Sequence, residues 1–230
     1  MSFPRQQART QRFTIGVPRA FQISPDGERV LFLRGRDGTD RATCLWSFSV
    51  ETGAESVLAD PRELGADDEN LPPEERARRE RMREHGGGIV SYTVDDAFTR
   101  AVFTLSGRVF YVDLVGDDGA PRELPVASPA VDPRVSPAGD RVAYVHRGAV
   151  RVVDVADDGD PDRDRVLVEP DGEHVTWGLA DLVSAEEMSR VRGFWWAPDG
   201  GSLAVSRVDE SEVNRWFVGD PNHPGQEPQP

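Results

Sequence analysis

Ile23-Ser24-Pro25-Asp26-Gly27-Glu28-Arg29-Val30-Leu31-Phe32 recurs along this chain. Val135-Ser136-Pro137-Ala138-Gly139-Asp140-Arg141-Val142-Ala143-Tyr144 and Trp196-Ala197-Pro198-Asp199-Gly200-Gly201-Ser202-Leu203-Ala204-Val205 are near copies, and Val94-Asp95-Asp96-Ala97-Phe98-Thr99-Arg100-Ala101-Val102-Phe103 is a degenerate one. Proline presets φ, and the Asp or Gly after it tolerates turn geometry, so each copy reads as a tight turn feeding a β-rich run. Further strands are predicted at similar offsets, over 45–50, 109–114 and 150–155, with turn signals such as Glu51-Thr52-Gly53 and Asp117-Asp118-Gly119 beyond them.

The copies begin at 23, 94, 135 and 196, so their spacings are 71, 41 and 61 residues. One four-stranded propeller blade spans about 40–45 residues, which makes only the middle interval a bare blade. Composition locates the surplus. One insertion falls near 60–88, where Pro72, Pro73 and two acids open a helix that is Arg-rich through Glu84 and ends at Gly86-Gly87-Gly88. The other falls near 173–193 and holds a second helical stretch, Leu179 to Arg190. The expected fold class is therefore all-β: a partial β-propeller of about four antiparallel blades with two helical insertions. Residues 1–20 read as an N-terminal arm, 21–218 as the blades and 219–230 as an irregular tail. The last copy runs into that tail without a final strand, which would leave an open sheet edge; the sequence reads as one cut short.

Apolar residues make up 37% of the chain, enough to bury a core. A formal charge of −14 argues against nucleic acid and anionic membrane as partners, since phosphate binding draws on clustered Lys and Arg, and it favours cationic ligands. All 27 basic residues are Arg, which reads as the codon bias of a high-GC genome. Cys44 is alone and forms no intrachain disulfide. Residues 1–20 lack the apolar core of a secretory signal, and no stretch approaches the roughly 18 apolar residues of a membrane span. The expectation is a cytoplasmic protein with no cofactor and no metal.

Most candidate sites fail on inspection. Gly200-Gly201-Ser202-Leu203-Ala204 looks like a nucleophile elbow, but its Ser opens a strand after a hairpin turn, where an elbow leads from strand to helix. His85, His146, His174 and His223 have neither metal-ligand spacing nor a partnered nucleophile. Asp158, Asp160, Asp162 and Glu169 fit positions 1, 3, 5 and 12 of a calcium loop, yet Arg163 stands where the loop needs Gly. In the second helical stretch, Leu179, Leu182 and Val183 form an apolar stripe whose continuation lands on Glu186 and Glu187. Adjacent helical residues diverge by about 100°, so both acids reach one target only from a helix end or a bend. The pair is either a binding site for a cation or a solvated face.

Trp177-Gly178-Leu179-Ala180-Asp181-Leu182-Val183-Ser184-Ala185-Glu186-Glu187-Met188, then Phe194-Trp195-Trp196-Ala197-Pro198-Asp199-Gly200, then Arg207-Val208-Asp209-Glu210-Ser211-Glu212-Val213, resembles the N-terminal propeller region of dipeptidyl peptidase IV, within the prolyl oligopeptidase family of serine peptidases. The resemblance implies a propeller capping an α/β-hydrolase domain that would lie C-terminal to this chain, and release of dipeptides from peptides with a free N-terminal amine. It implies that Glu186 and Glu187 bind the substrate ammonium group and that an Arg of the propeller holds a backbone carbonyl. Arg79, Arg81 and Arg83 are the candidates, with Arg81 and Arg83 preferred. The Ser, Asp and His triad of that family has no counterpart here, so no catalytic residue is assigned and the chain alone is expected to be inactive. A homodimer of the complete enzyme is a further partner. The alternative, from a different class, is a non-enzymatic propeller that binds a protein partner through its loop face.

Overall fold

In the computed structural model, which describes residues 2–65, 71, 73–81, 86–116, 119–156, 163–214, 217, 219, 221, 222 and 225, the four turn copies share one backbone pattern. The second residue of each copy donates its N–H to the carbonyl five residues on, and its carbonyl accepts from the N–H three residues on. The sets are Ser24 with Arg29 and Gly27, Asp95 with Arg100 and Phe98, Ser136 with Arg141 and Gly139, and Ala197 with Ser202 and Gly200. The last residue of each set is left-handed, at φ +76°, +58°, +76° and +67°. Three of these are Gly, for which the region carries no steric penalty. Phe98, in the degenerate copy, is strained by roughly 1–2 kcal/mol and offsets it with a ring only 9% exposed in the core between the first two sheets.

Each turn joins two neighbouring antiparallel strands within one sheet, and four such sheets follow one another along the chain. The first runs β1 (Arg19–Ile23), β2 (Arg29–Gly35), β3 (Ala42–Ser49) and β4 (Glu55–Ala59), with the short β5 (Gly87–Gly88) parallel to β3. The second is β6 (Tyr92–Val94), β7 (Arg100–Leu105), β8 (Arg108–Asp113) and β9 (Arg122–Leu124), and the third is β10 (Val131–Val135), β11 (Arg141–His146), β12 (Ala149–Asp154) and β13 (Asp164–Val168). The fourth has two parts, β14 (Val175–Trp177) with β17 (Arg207–Asp209) and β15 (Phe194–Trp196) with β16 (Leu203–Val205). Helices α1 (Phe3–Arg9), α2 (Pro73–Arg81) and α3 (Leu182–Glu186) complete the elements. The fold class is all-β, built of partial propeller blades.

One apolar cluster fills each gap between neighbouring sheets. Leu31, Leu33 and Leu45 meet Phe103, Phe110 and Val112 between the first and second. Val102, Val109 and Tyr111 meet Val142, Tyr144 and Val153 between the second and third, and Val145, Val150 and Val152 meet Phe194 between the third and fourth. The middle sheets are therefore buried on both faces, and Ala101, Val102 and Phe103 are all 0% exposed. That is why these strands read as continuous apolar runs with no alternation.

The first strands of the first and third sheets share an irregularity. In β1 the register jumps between Arg19 and Gln22, and in β10 between Val131 and Arg134, with Ala20 and Asp132 left-handed at φ +54° and +49°. The fourth sheet expands the same device. Trp177 pairs with Arg207 and Phe194 with Val205, so residues 178–193 stand opposite Ser206 alone. Gly178 N–H donates to the Ser206 carbonyl at 2.9 Å, and Ser206 N–H donates to the Gly193 carbonyl at 2.7 Å. β14 and β15 are thus one strand interrupted by an excursion over residues 179–192, pinched at its neck by two glycines.

Candidate functional site

The excursion carries less helix than the sequence predicts. Instead of Leu179 to Arg190, only α3 is helical, and the apolar stripe is broken: Leu179 packs against the core, but Leu182 and Val183 are 52% and 58% exposed, while Ser184 and Ala185 are buried. The stripe argument for Glu186 and Glu187 is therefore overturned. Their position at a helix end is what matters. Glu186 is the last residue of α3 and Glu187 its C-cap, at φ −92° and ψ −32°. The chain turns sharply two residues later, at Ser189 with φ +54°.

Polar contacts brace the excursion. Asp181 caps α3, accepting from Ser184 N at 2.9 Å and from the Ser184 hydroxyl. Those two bonds, the hydroxyl's first, hold the Asp181 carboxyl below the usual aspartate value of 3.8. Arg190 donates to Ser184 Oγ at 2.7 Å, to Asp181 Oδ2 at 3.3 Å and to the Arg192 carbonyl at 2.9 Å, so the return limb is tied to the helix start.

The other wall is α2, from the insertion between β4 and β6. Its sequence, Pro-Glu-Glu-Arg-Ala-Arg-Arg-Glu-Arg, has no apolar face to bury. Ion pairs seat it instead. Arg79 Nε donates to Glu75 Oε1 at 3.0 Å, Arg78 reaches Glu75 at 3.4 Å and Asp132 of β10 at 3.3 Å, and Arg134 Nη2 meets the same Asp132 at 3.0 Å. Glu75, Arg78, Arg79 and Asp132 are all at most 9% exposed. A charge so placed is held by its partners, because removing one leaves the others unpaired in low dielectric. Arg78 Nε is buried without a hydrogen-bond partner.

The two insertions meet. Arg81 Nη1 donates to the Ala180 carbonyl at 3.4 Å, and α2 lies against α3. Glu80, Arg81, Glu186, Glu187, Ser189 and Val191 line a cleft of about 600 Å³ at this junction. Of the residues singled out from sequence, Glu186, Glu187 and Arg81 are brought together, and Arg79 is instead buried against Glu75. Arg83 lies outside the described residues, as do His85, His223, Asp158, Asp160 and Asp162. Glu186 and Glu187 are exposed and accept no hydrogen bond from any described residue.

Glu75, Asp132 and Arg134 were not legible as site residues. The spacing of Glu75 to Arg78 and Arg79, three and four residues along a helix, carries the signal for their pairing. Nothing local announces Asp132, which meets Arg78 across 54 residues of chain.

Consecutive antiparallel blades bearing a cleft between helical insertions define a propeller-type scaffold. Residues 100–230 match the dipeptidyl peptidase IV (DPP IV) N-terminal region, and the chain belongs to that family. Across 237 aligned positions it is 25% identical to the probable dipeptidyl-aminopeptidase B of Emericella nidulans. That alignment covers 93% of this chain and 24% of the relative, so the chain spans about a quarter of the length of the curated protein it matches. It is a dipeptidyl peptidase-related propeller. Among the described residues, no helix is long and apolar enough to cross a membrane.

Proposed function

We propose that this chain is the substrate-recognition portion of a serine dipeptidyl peptidase that acts on peptide N-termini. Glu186 and Glu187 hold the ammonium group of the peptide, and Arg81 approaches a carbonyl of its first residues. Bond cleavage is assigned to an α/β-hydrolase domain outside residues 1–230, and the chain alone turns over no substrate. The observation that carries this reading is a pair of adjacent carboxylates at a helix end, without hydrogen-bond or ion-pair partners among the described residues, sharing a cleft with an arginine. An ammonium about 4 Å from one carboxylate gains roughly 4 kcal/mol at an effective dielectric near 20, before desolvation is counted. Two carboxylates select a free amine over an acylated one.

The test is calorimetric titration of the chain with Gly-Pro-Gly amide and with its N-acetylated form. The free amine is expected to bind, and the acetylated form at least tenfold more weakly, a difference of about 1.4 kcal/mol. Glu186→Gln and Glu187→Gln keep the side-chain size and are each expected to weaken the free-amine peptide by a similar factor, with an unchanged thermal midpoint. Equal binding of the two peptides, or full affinity in both variants, would sink the reading and leave the glutamates as a solvated face.

A further inference from the structure

A second cleft runs along the first strands of the four sheets, away from the glutamates. Gln22 of β1, Thr93 of β6, Arg134 of β10 and Trp196 of β15 line it, and Arg192, on the return limb of the excursion, lies among them. Val191 lines the glutamate cleft and its neighbour Arg192 this one. The return limb therefore divides an acidic cleft from a basic one.

The charge in this second cleft does not balance. Two guanidinium groups, Arg134 and Arg192, line it against one carboxylate, the exposed Asp96, and the neighbouring Asp132 is already engaged by Arg134, at 3.0 Å through both Nε and Nη2, and by Arg78 at 3.3 Å. Arg192 has no carboxylate partner among the described residues; its Nε donates to the Phe194 carbonyl at 3.2 Å, and its guanidinium sits 5.2 Å from the Trp195 ring centroid. Arg134 is fixed from behind as well, because its carbonyl accepts from Trp196 Nε1 at 3.0 Å. Burial, and after it the charge of Arg134, pushes the Arg192 pKa down, with Asp132 opposing. A half-buried cation beside a second cation, in a chain of net charge −14, is the arrangement an anion would complete. Guanidinium forks match the planar geometry of a carboxylate.

We propose that Arg192 and Arg134 form a carboxylate-binding site in the cleft along the first strands. The carboxylate comes either from a free small acid or from the C-terminus of a peptide. The site stands apart from the amine cleft and is testable without it.

Trp195 and Trp196 flank Arg192 and supply the readout. At constant ionic strength, the intrinsic fluorescence of the full chain is titrated with acetate against acetamide, and with N-acetyl-trialanine against its C-terminal amide. A saturable change with at least one acid and with neither amide is expected. Saturation by acetate identifies a small free acid as sufficient; saturation by the acetylated peptide alone identifies a peptide terminus. Arg192→Gln is expected to weaken the response at least tenfold and Arg192→Lys to retain part of it, while Glu186→Gln leaves it unchanged because every probe lacks a free amine. The acid that binds should also raise the thermal midpoint of the wild-type chain, as any ligand of the folded state does, and that measurement stands even if Arg192→Gln folds poorly. If acids and amides behave alike, or if a folded Arg192→Gln responds as the wild type does, the site does not exist.

Discussion

Phe98 shows how a single residue keeps a repeat whose consensus it breaks. The other three turn copies place Gly at the left-handed position, and Phe98 takes the same backbone at φ +58°. Two terms of opposite sign act there. Relief of the left-handed strain would be worth roughly 1–2 kcal/mol, whereas loss of a buried phenyl ring typically costs about 3–5 kcal/mol. Phe98→Gly should therefore destabilise by about 1–4 kcal/mol by the balance of those two magnitudes, read as a lower midpoint in urea unfolding. A stabilised variant would mean that backbone strain outweighs burial here. The Gly positions were legible because Pro two residues earlier and Gly at the fourth place of the turn are a local chemical code. Phe98 breaks that code, and only the common strand register betrays its turn. Arg192 was not legible either, since an arginine that has no carboxylate partner among the described residues looks in sequence like any other.

At the scale of elements, local signals and distant ones separate cleanly. The strand runs at 45–50, 109–114 and 150–155 fall within one residue of β3, β8 and β12 at their C-terminal ends, because hairpin turns fix register from within. Apolar spacing predicts a helix from Leu179 to Arg190, but α3 has five residues because its limits are set by the Asp181 cap and by the bend at Ser189. The neck of the excursion gives the sharpest prediction at this scale. A Cβ on Gly193 would stand 2.3 Å from the Gly178 carbonyl carbon and 2.5 Å from Leu179 N, backbone atoms that cannot swing aside. Gly193→Ala is expected to part the neck, lower the thermal midpoint and raise amide hydrogen exchange at Gly178 and Ser206, whose N–H groups close it. Exchange unchanged at both amides would show that the neck tolerates the methyl group.

For the whole molecule, acid is the informative variable. The Ser136 hydroxyl chiefly holds the Asp140 carboxyl below 3.8, the Arg207 guanidinium does the same for Asp171, and Arg108 holds Glu123 below 4.5. Depressed folded values mean that the unfolded chain binds more protons in this range. The stabilisation they give is therefore complete above the ordinary carboxylate values and is lost as pH falls through the folded ones. Repulsion within a chain of charge −14 acts the other way at neutral pH and fades toward the isoelectric point near 4.7. Thermal midpoints should vary little from about pH 7 to 5 and drop steeply below about 4. A midpoint that rises between pH 4 and 3 would contradict these pairings. The order of the blades was legible at this scale, because it repeats along the chain. The meeting of the two insertions was not: Arg81 and Ala180 are 99 residues apart, and one sequence holds no record of that proximity.

The excursion over residues 179–192 leaves the sheet and rejoins it at a single point, opposite Ser206. Pairing on either side of that point is indifferent to how long the detour is, since each doubling of a flexible loop adds only about 0.6 kcal/mol of closure entropy. The first strands of the first and third sheets bulge close to the equivalent place. A detour so attached is a cassette: what it carries, two glutamates here or other side chains elsewhere, is exchangeable by grafting between Gly178 and Gly193 while the blade beneath keeps its register.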